Sequence, residues 1–317
     1  MRNFINKSES LPVGAIATAV GLATLSNAYL AIGGYTGVRH ITMIGAILVW
    51  LGAAIKIIVH FPTFKGEYSQ VVPSSLYATF CMLTMILGSY FFEFNETFGR
   101  GIWLAGIFLH MTHIVTFTCY HVVKGFNKET FVPSWFVTYV GILVSAVVGV
   151  PMEMPQLLRF IVIYGFIALG ILLPLMVYRL VKNPLPQPLS LTAAILLAPS
   201  SLCLVGYLNV SAEPVPVIIF SLYWIIFIKL LYVASKLPQF LQLKFNPGFA
   251  SLTFPLAISL VASIRMSGFL INQGMDSFGN LVREFSGIQL YLTTAIIAYV
   301  AYHFLKLCVQ AFTNKQN

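Results

Sequence analysis

Apolar residues run along the chain in stretches of about 20, the length a helix needs to cross a hydrocarbon core of about 30 Å. Ten such stretches recur, at 11–33, 39–60, 74–92, 99–123, 134–150, 156–180, 189–209, 215–236, 247–270 and 285–312. They exceed the roughly 10 residues of a barrel strand and do not alternate polar with apolar, so they predict helices. The connections are short and hold the turn and charge signals: FPTFKGEYSQVVP, KGFNKETFVP, KNPLPQP and LPQFLQLKFNPG. No linker divides the chain. The expectation is one all-α integral membrane domain over residues 1–317.

Composition agrees with this pattern. Hydrophobic residues make up 58% of the chain and charged residues 9%, where a soluble domain carries about 25% charged residues. Mean hydropathy is +0.87. So little charge cannot cover a water-facing surface. The opening MRNFINKSES lacks the apolar core and cleavage site of a signal peptide, so the first span is read as retained. The net charge of +9 does not indicate nucleic acid, because the basic residues are spread over short loops. Cys81, Cys119, Cys203 and Cys308 each sit alone in an apolar run, which suits packing and indicates neither zinc nor a disulfide framework. There is no P-loop, HExxH or GxSxG, and GAIATAVG is a glycine pair inside a span. Neither an enzyme nor a cofactor is expected.

Charge gives the spans a direction. With ten spans, loops alternate sides. All eleven lysines then fall on one side, from Lys7, Lys56 and Lys65 to Lys229, Lys306 and Lys315, joined by Arg2 and Arg179. The other side holds five arginines, Arg39, Arg100, Arg159, Arg265 and Arg283, and six of the nine acids. Thirteen basic residues against five is a positive-inside signal that places both termini in the cytoplasm. Lys56 and Lys229 lie slightly inside their spans, within snorkelling reach of that face.

Odd and even spans differ. The odd spans have no charge in their interiors, carry proline within or at an end (Pro12, Pro73, Pro133, Pro199, Pro255) and are rich in Gly, Ser and Thr. The even spans hold Lys56, Lys229, Lys306, His110, His113 and His303. Small residues permit close helix approach. Proline breaks hydrogen bonding, which is tolerated where backbone is buried or lines a cavity. The odd helices are therefore expected to form an inner ring of five.

Three stretches carry a family likeness: LPVGAIATAVGLATLSNAY in the first span, LPQPLSLTAAILLAPSSLCLVGYL around the seventh and KFNPGFASLTFPLAISLVAS leading into the ninth. In this order the chain resembles the tellurite-resistance/dicarboxylate transporter family, which includes bacterial TehA-type channels, plant slow-type anion channels and fungal malate permeases. The likeness covers essentially the whole chain through span number and order, and TFPLA and LAPSS are its specific parts. It implies five helical hairpins with quasi-fivefold symmetry, five inner helices around a pore in each protomer, and a homotrimer in the bacterial inner membrane, in contact with lipid. It implies a gated channel for small inorganic or organic anions. The alternatives are a secondary carrier for malate or another C4-dicarboxylate, a sulfite exporter, or a tellurite-resistance transporter.

By the same likeness, the family's pore-blocking phenylalanine falls on Phe254, between Thr253 and Pro255. A glycine close to the pore wall matches Gly14, beside Pro12, and Pro199 of LAPSS and Pro255 mark bends. The stretch YFGIP that often follows that glycine is AIATA here, which alters the first-helix pore contacts. A ring beside a proline bend can block a narrow pore by size and by dewetting; otherwise Phe254 is one of 26 phenylalanines in the core or facing lipid. The inner helices offer no fixed cation, so anions would be drawn by positive helix ends and polar backbone. The lysine-rich face enriches anions, or only sets topology and meets anionic lipid. His110 and His113 share a helix face with His121 two to three turns on, a spacing for a metal pair or proton relay. With no acid in that span, packing or hydrogen bonding is the expectation. Arg265, read as closely following the ninth helix, guards the outer mouth or anchors the interface.

Overall fold

The computed structural model describes residues 2–313; Lys315 lies outside them. All regular elements among the described residues are helical. A short α1 (Arg2–Lys7) leads in. Nine helices among the described residues are long and apolar enough to cross a membrane. They are α2 (Val13–Gly33), α3 (Thr36–Val59), α5 (Val71–Phe92), α6 (Glu96–Val123), α8 (Pro155–Lys182), α9 (Leu189–Val210), α10 (Pro216–Leu241), α11 (Pro247–Asn272) and α12 (Asp276–Gln310). Between them, α4 (Phe61–Tyr68) is short and not a span. The fifth predicted span is also short. It is α7 (Trp135–Val148), broken by a 3-10 turn at Gly141–Leu143. Where a Gly141 side chain would project, Met82 and the His110 ring already fill the space.

Burial alternates along the chain. In α2, α5, α9 and α11 between 67% and 89% of the apolar window is buried, whereas in α3, α6, α8, α10 and α12 it is 28% to 33%. The residues of α7 are buried as well, from Trp135 and Phe136 to Leu143 and Ala146. The contacts explain the alternation. α2 packs on α5, α5 on α7, α7 on α9, α9 on α11, and α11 returns to α2. Each of these five also packs on the helix that follows it. A helix surrounded by helices has no face for lipid, so it is apolar or small on every side. Helices of the outer layer keep one wide face outward, with Ile41, Ile58, Val181 and Tyr291 among the exposed side chains.

Pro199 and Pro255 stand inside their spans, where each helix changes from 3-10 to α winding. Pro199 and Pro255 are each the third residue of an α-helical stretch, and each stretch follows a 3-10 lead-in, Gln187–Leu196 and Pro247–Leu252. Pro12 sits at the N-cap of α2, with φ −66° and extended ψ. Near a helix start, proline removes few bonds that the helix would have made. The prolines deep inside helices are Pro174 of α8 and Pro238 of α10, both in the outer layer.

The two lysines inside spans depart from the snorkelling expectation. Lys56 is 2% exposed. Its Nζ donates to the Leu11 carbonyl at 2.8 Å and to Glu67 Oε1 at 2.7 Å, and Glu67 Oε2 accepts from the Tyr77 hydroxyl. This ion pair, buried at Lys56 and 31% exposed at Glu67, ties α3 to α4, to the segment leading into α2 and to α5. Lys229 of α10 turns toward the ring and donates to Ser200 Oγ of α9 at 2.9 Å. An amine in hydrocarbon is costly unless it finds a partner, and here the nearest partners lie inside the protein.

Removing Lys56 leaves the Leu11 carbonyl and the half-buried Glu67 without their charged partner. Lys56→Met is expected to destabilise the detergent-solubilised protein by about 3 kcal/mol, read as a lower melting temperature. Adding Glu67→Gln should recover part of the loss, as a double-mutant cycle would register. Equal melting of Lys56→Met and wild type would remove the pair from the fold's energetics.

Candidate functional site

All five buried helices meet at one small cavity. It has a volume of about 30 Å³, and no polar atom is exposed in its wall. Ala17 of α2, Thr79 of α5, Phe136 of α7, Ala198 of α9, and Phe254 and Pro255 of α11 line it, with others from the same helices. Thirty cubic ångströms is roughly the share of one water molecule in the liquid. A hydrated ion does not fit, and a carbon wall at this diameter expels water. Phe254 itself is 7% exposed.

Pro255 lies on its wall with Phe254, and the other expected site residues lie around this point. Thr253 faces α2, where its Oγ1 donates to the Ala17 carbonyl at 3.3 Å and to the Ala250 carbonyl at 2.8 Å. It fixes the turn that carries Phe254. Gly14 lies deeper in the packing between layers, where an added Cβ would meet Phe304 Cζ at 2.7 Å and the Pro247 carbonyl oxygen at 2.8 Å. Gly141 of α7 lies in the cavity wall, and the glycine that meets the Phe254 backbone is Gly21. A Cβ there would meet Thr253 Cβ at 2.7 Å and the Phe254 nitrogen at 2.8 Å. Gly21 therefore sets how closely α2 approaches the backbone of Phe254. Pro12 and Pro199 are not among the cavity residues.

Thr79 and Ser251 line the cavity without exposing a polar atom to it, and other polar groups of the ring helices face the outer layer. On α11, Ser259, Ser263 and Ser267 recur every four residues, on the side opposite Phe254. The Gln289 amide of α12 bridges the first two, donating from Nε2 to Ser259 Oγ at 2.9 Å and accepting from Ser263 Oγ at 2.9 Å. Ser267 Oγ donates to the Gly279 carbonyl at 2.7 Å. Ser263 also accepts from the Tyr223 hydroxyl of α10. Reading the sequence did not single out Gln289; the available signal was an uncharged polar residue in an outer span at the level of the serines.

The histidines serve the broken helix. His110 Nε2 donates to the Thr138 carbonyl at 2.9 Å, one turn before the break in α7, and His113 Nε2 is bonded to Thr138 Oγ1 at 3.2 Å. His113 Nδ1 lies 3.0 Å from the Tyr68 hydroxyl. Burial pushes the Tyr68 phenol up to about 12. Tyr68 therefore keeps its proton and can donate to Nδ1. His121 Nε2 donates to the Tyr68 carbonyl at 3.2 Å. No three His, Cys, Asp or Glu side chains gather around a metal-sized point among the described residues.

Arg265 lies within α11, seven residues before its end, not beyond it. Its Nη2 donates to Asn209 Oδ1 of α9. Asn209 Nδ2 donates in turn to the carbonyls of Ala146 and Val147 on α7, at 2.9 Å and 3.1 Å. The cavity and this bond network mark two levels along α7, α9 and α11 in the same order, so the three helices run parallel.

A larger cavity of about 820 Å³ is a lateral groove between α2, α3 and α12, lined by Leu11, Ala15, Gly45, Leu48 and Leu305 among others. It lies outside the ring and does not connect its axis.

Gly21→Ala should push α2 off the Phe254 backbone and destabilise the protein by about 1–3 kcal/mol. Gly170→Ala on α8, where a Cβ meets nothing within 4 Å, is the control and should be near neutral. Similar melting of the two variants would count against the close approach.

A relative is the tellurite resistance protein TehA homolog of Haemophilus influenzae, 24% identical over 309 residues that cover 93% of this chain and 92% of that one. The family model SLAC1, described as voltage-dependent anion channel, matches residues 10–306. Since that match takes in nearly all of the chain, the protein belongs to the SLAC1 family of voltage-dependent anion channels.

Proposed function

We propose that this protein is a gated anion channel whose ion path is the axis of the five buried helices, closed at Phe254. The observation that carries the reading is the small carbon-walled cavity, to which each of the five buried helices contributes and on which Phe254 closes. In this reading the broken α7 counts as a crossing, giving ten crossings as five inner–outer hairpins around a quasi-fivefold axis. Both termini then face the cytoplasm of a bacterial inner membrane, as the lysine distribution favours. The likeness to TehA-type proteins favours a homotrimer with one path per protomer.

The physics of closure is steric and hydrophobic. An ion entering the constriction would lose its hydration shell and meet no polar atom in exchange. The phenyl ring has free torsions, whereas its backbone is held by Gly21 and Thr253. Opening therefore requires a ring movement more than a backbone movement. Conduction without a tight site favours small, easily dehydrated anions. The relative's name gives tellurite, a more strongly hydrated oxyanion, a reason to be tested beside them.

In planar bilayers, Phe254→Ala is expected to raise anion current at least about tenfold, a barrier lower by about 1.4 kcal/mol. Phe254→Leu should fall between the two. Unchanged current at normal protein content would sink the gate. Slow, saturable, pH-driven malate uptake without current steps would identify a carrier instead.

A further inference from the structure

We infer that Arg265, held by Asn209, forms an anion-capturing site in the outer mouth above Phe254; this deepens the channel reading and rests on it. The register of α11 carries the argument. Arg265 is eleven residues beyond Phe254 in one helix. At about 100° per residue, eleven residues return to within about 20° of the starting direction, about 16 Å further along. Arg265 therefore stands three turns above the constriction on the same face. That face opens as it rises: Phe254 and Ile258 are buried, Val261 is half-buried, and Arg265, Gly268 and Asn272 are exposed. The opposite face cannot be the exposed one, because Ser263 and Ser267 are bonded there to outer-layer groups.

The partners point the same way. Asn209 is seven residues beyond Leu202, a residue of the cavity wall, and seven residues also return to within about 20°. It stands on the axial face of α9 as Arg265 does on α11. Side chains on a helix lean toward its N-terminus. On α11 that is the direction of Phe254, so the guanidinium leans into the mouth.

The chemistry suits a small anion. Arg265 makes one hydrogen bond and no ion pair among the described residues. A guanidinium has five N–H donors and stays charged at any working pH. Four donors therefore remain to face water. Arg39 lies toward the same end of the ring but differs: Glu93 matches its charge, and it is 6% exposed. Arg265 is thus a fixed positive charge on the axial face, with its orientation set through Asn209 by two α7 carbonyls. It would gather chloride, nitrate or an oxyanion at the mouth without holding it at the gate. One unit charge at about 5 Å in water raises the local concentration of a monovalent anion about fourfold, and salt screens this.

Two readouts test the inference. In the Phe254→Ala background, Arg265→Gln should lower the current carried by anions entering from the outer side about fourfold at low salt, the difference fading near 1 M salt. Arg265→Lys, which keeps the charge, should lose less. Independently, crystals of the wild-type chain soaked in bromide should show an anomalous peak within hydrogen-bond reach of the guanidinium, absent in Arg265→Gln. If Phe254→Ala carries no anion current, the channel reading fails and the bromide peak alone decides this site. Wild-type-like low-salt current in Arg265→Gln, or no bromide peak, overturns it.

Discussion

The contact between α2 and α11 closes the ring, and the rest of the arrangement depends on it. It joins segments from opposite ends of the sequence, Gly21 against Thr253 and the Phe254 backbone. Absence of a side chain on one helix and a hydroxyl on the other make it close. Thr253 reaches the Ala17 carbonyl, so the contact is a hydrogen bond as well as a fit. A looser contact here would widen the axis and release the Phe254 backbone together. The central cavity is therefore small because of a seam between the first and last long inner helices.

The second organising feature is a division of polarity between layers. Ring helices carry many serines and threonines, yet the axial wall is carbon. Most of their hydroxyls bond their own helix carbonyls or the outer layer; Thr253 also reaches α2, and the buried Ser74 Oγ of α5 has no hydrogen-bond partner among the described residues. Ser259 and Ser263 bind Gln289, and Ser200 receives Lys229. His110 satisfies a carbonyl next to the break in α7. A polar group in a water-poor interior must find a partner. Placing those partners behind the wall leaves the axis dry and pins each inner helix to its neighbour.

Much of this was legible from hydropathy and residue class. Long apolar runs marked the spans, and the small, charge-poor character of alternate runs marked the helices that proved buried, with Arg265 inside α11 the exception. Other features were not. Lys56 and Lys229 sit where a snorkelling lysine and an inward-bound one read alike, because only the position of Glu67 or Ser200 in space decides. The break in α7 lies in a run whose hydropathy never falters. Prolines suggested bends, and residue class alone does not show that Pro199 and Pro255 mark a change from 3-10 to α winding inside their spans. A motif match located Phe254 within TFPLA, while the nearby glycine that touches it is Gly21 and not Gly14. The spacing of three full turns between Phe254 and Arg265 carried no meaning while Arg265 was read as following the ninth helix; its place inside α11 gives it one.

The broken α7 has a consequence for how the protein is made. Its residues from Trp135 to Val148 rise about 21 Å as helix, less than the hydrocarbon core of about 30 Å. The flanking backbone, with Ser134 fully buried and Val132 nearly so, sits inside protein rather than in lipid. Such backbone has no stable place in a bilayer until neighbouring helices surround it. Of the ring helices, α7 is the one least able to insert alone. Its entry waits on α5 and α6, already synthesised, and on α8, which follows. The order of synthesis thus matters most at the middle of the chain, where the ring is half complete.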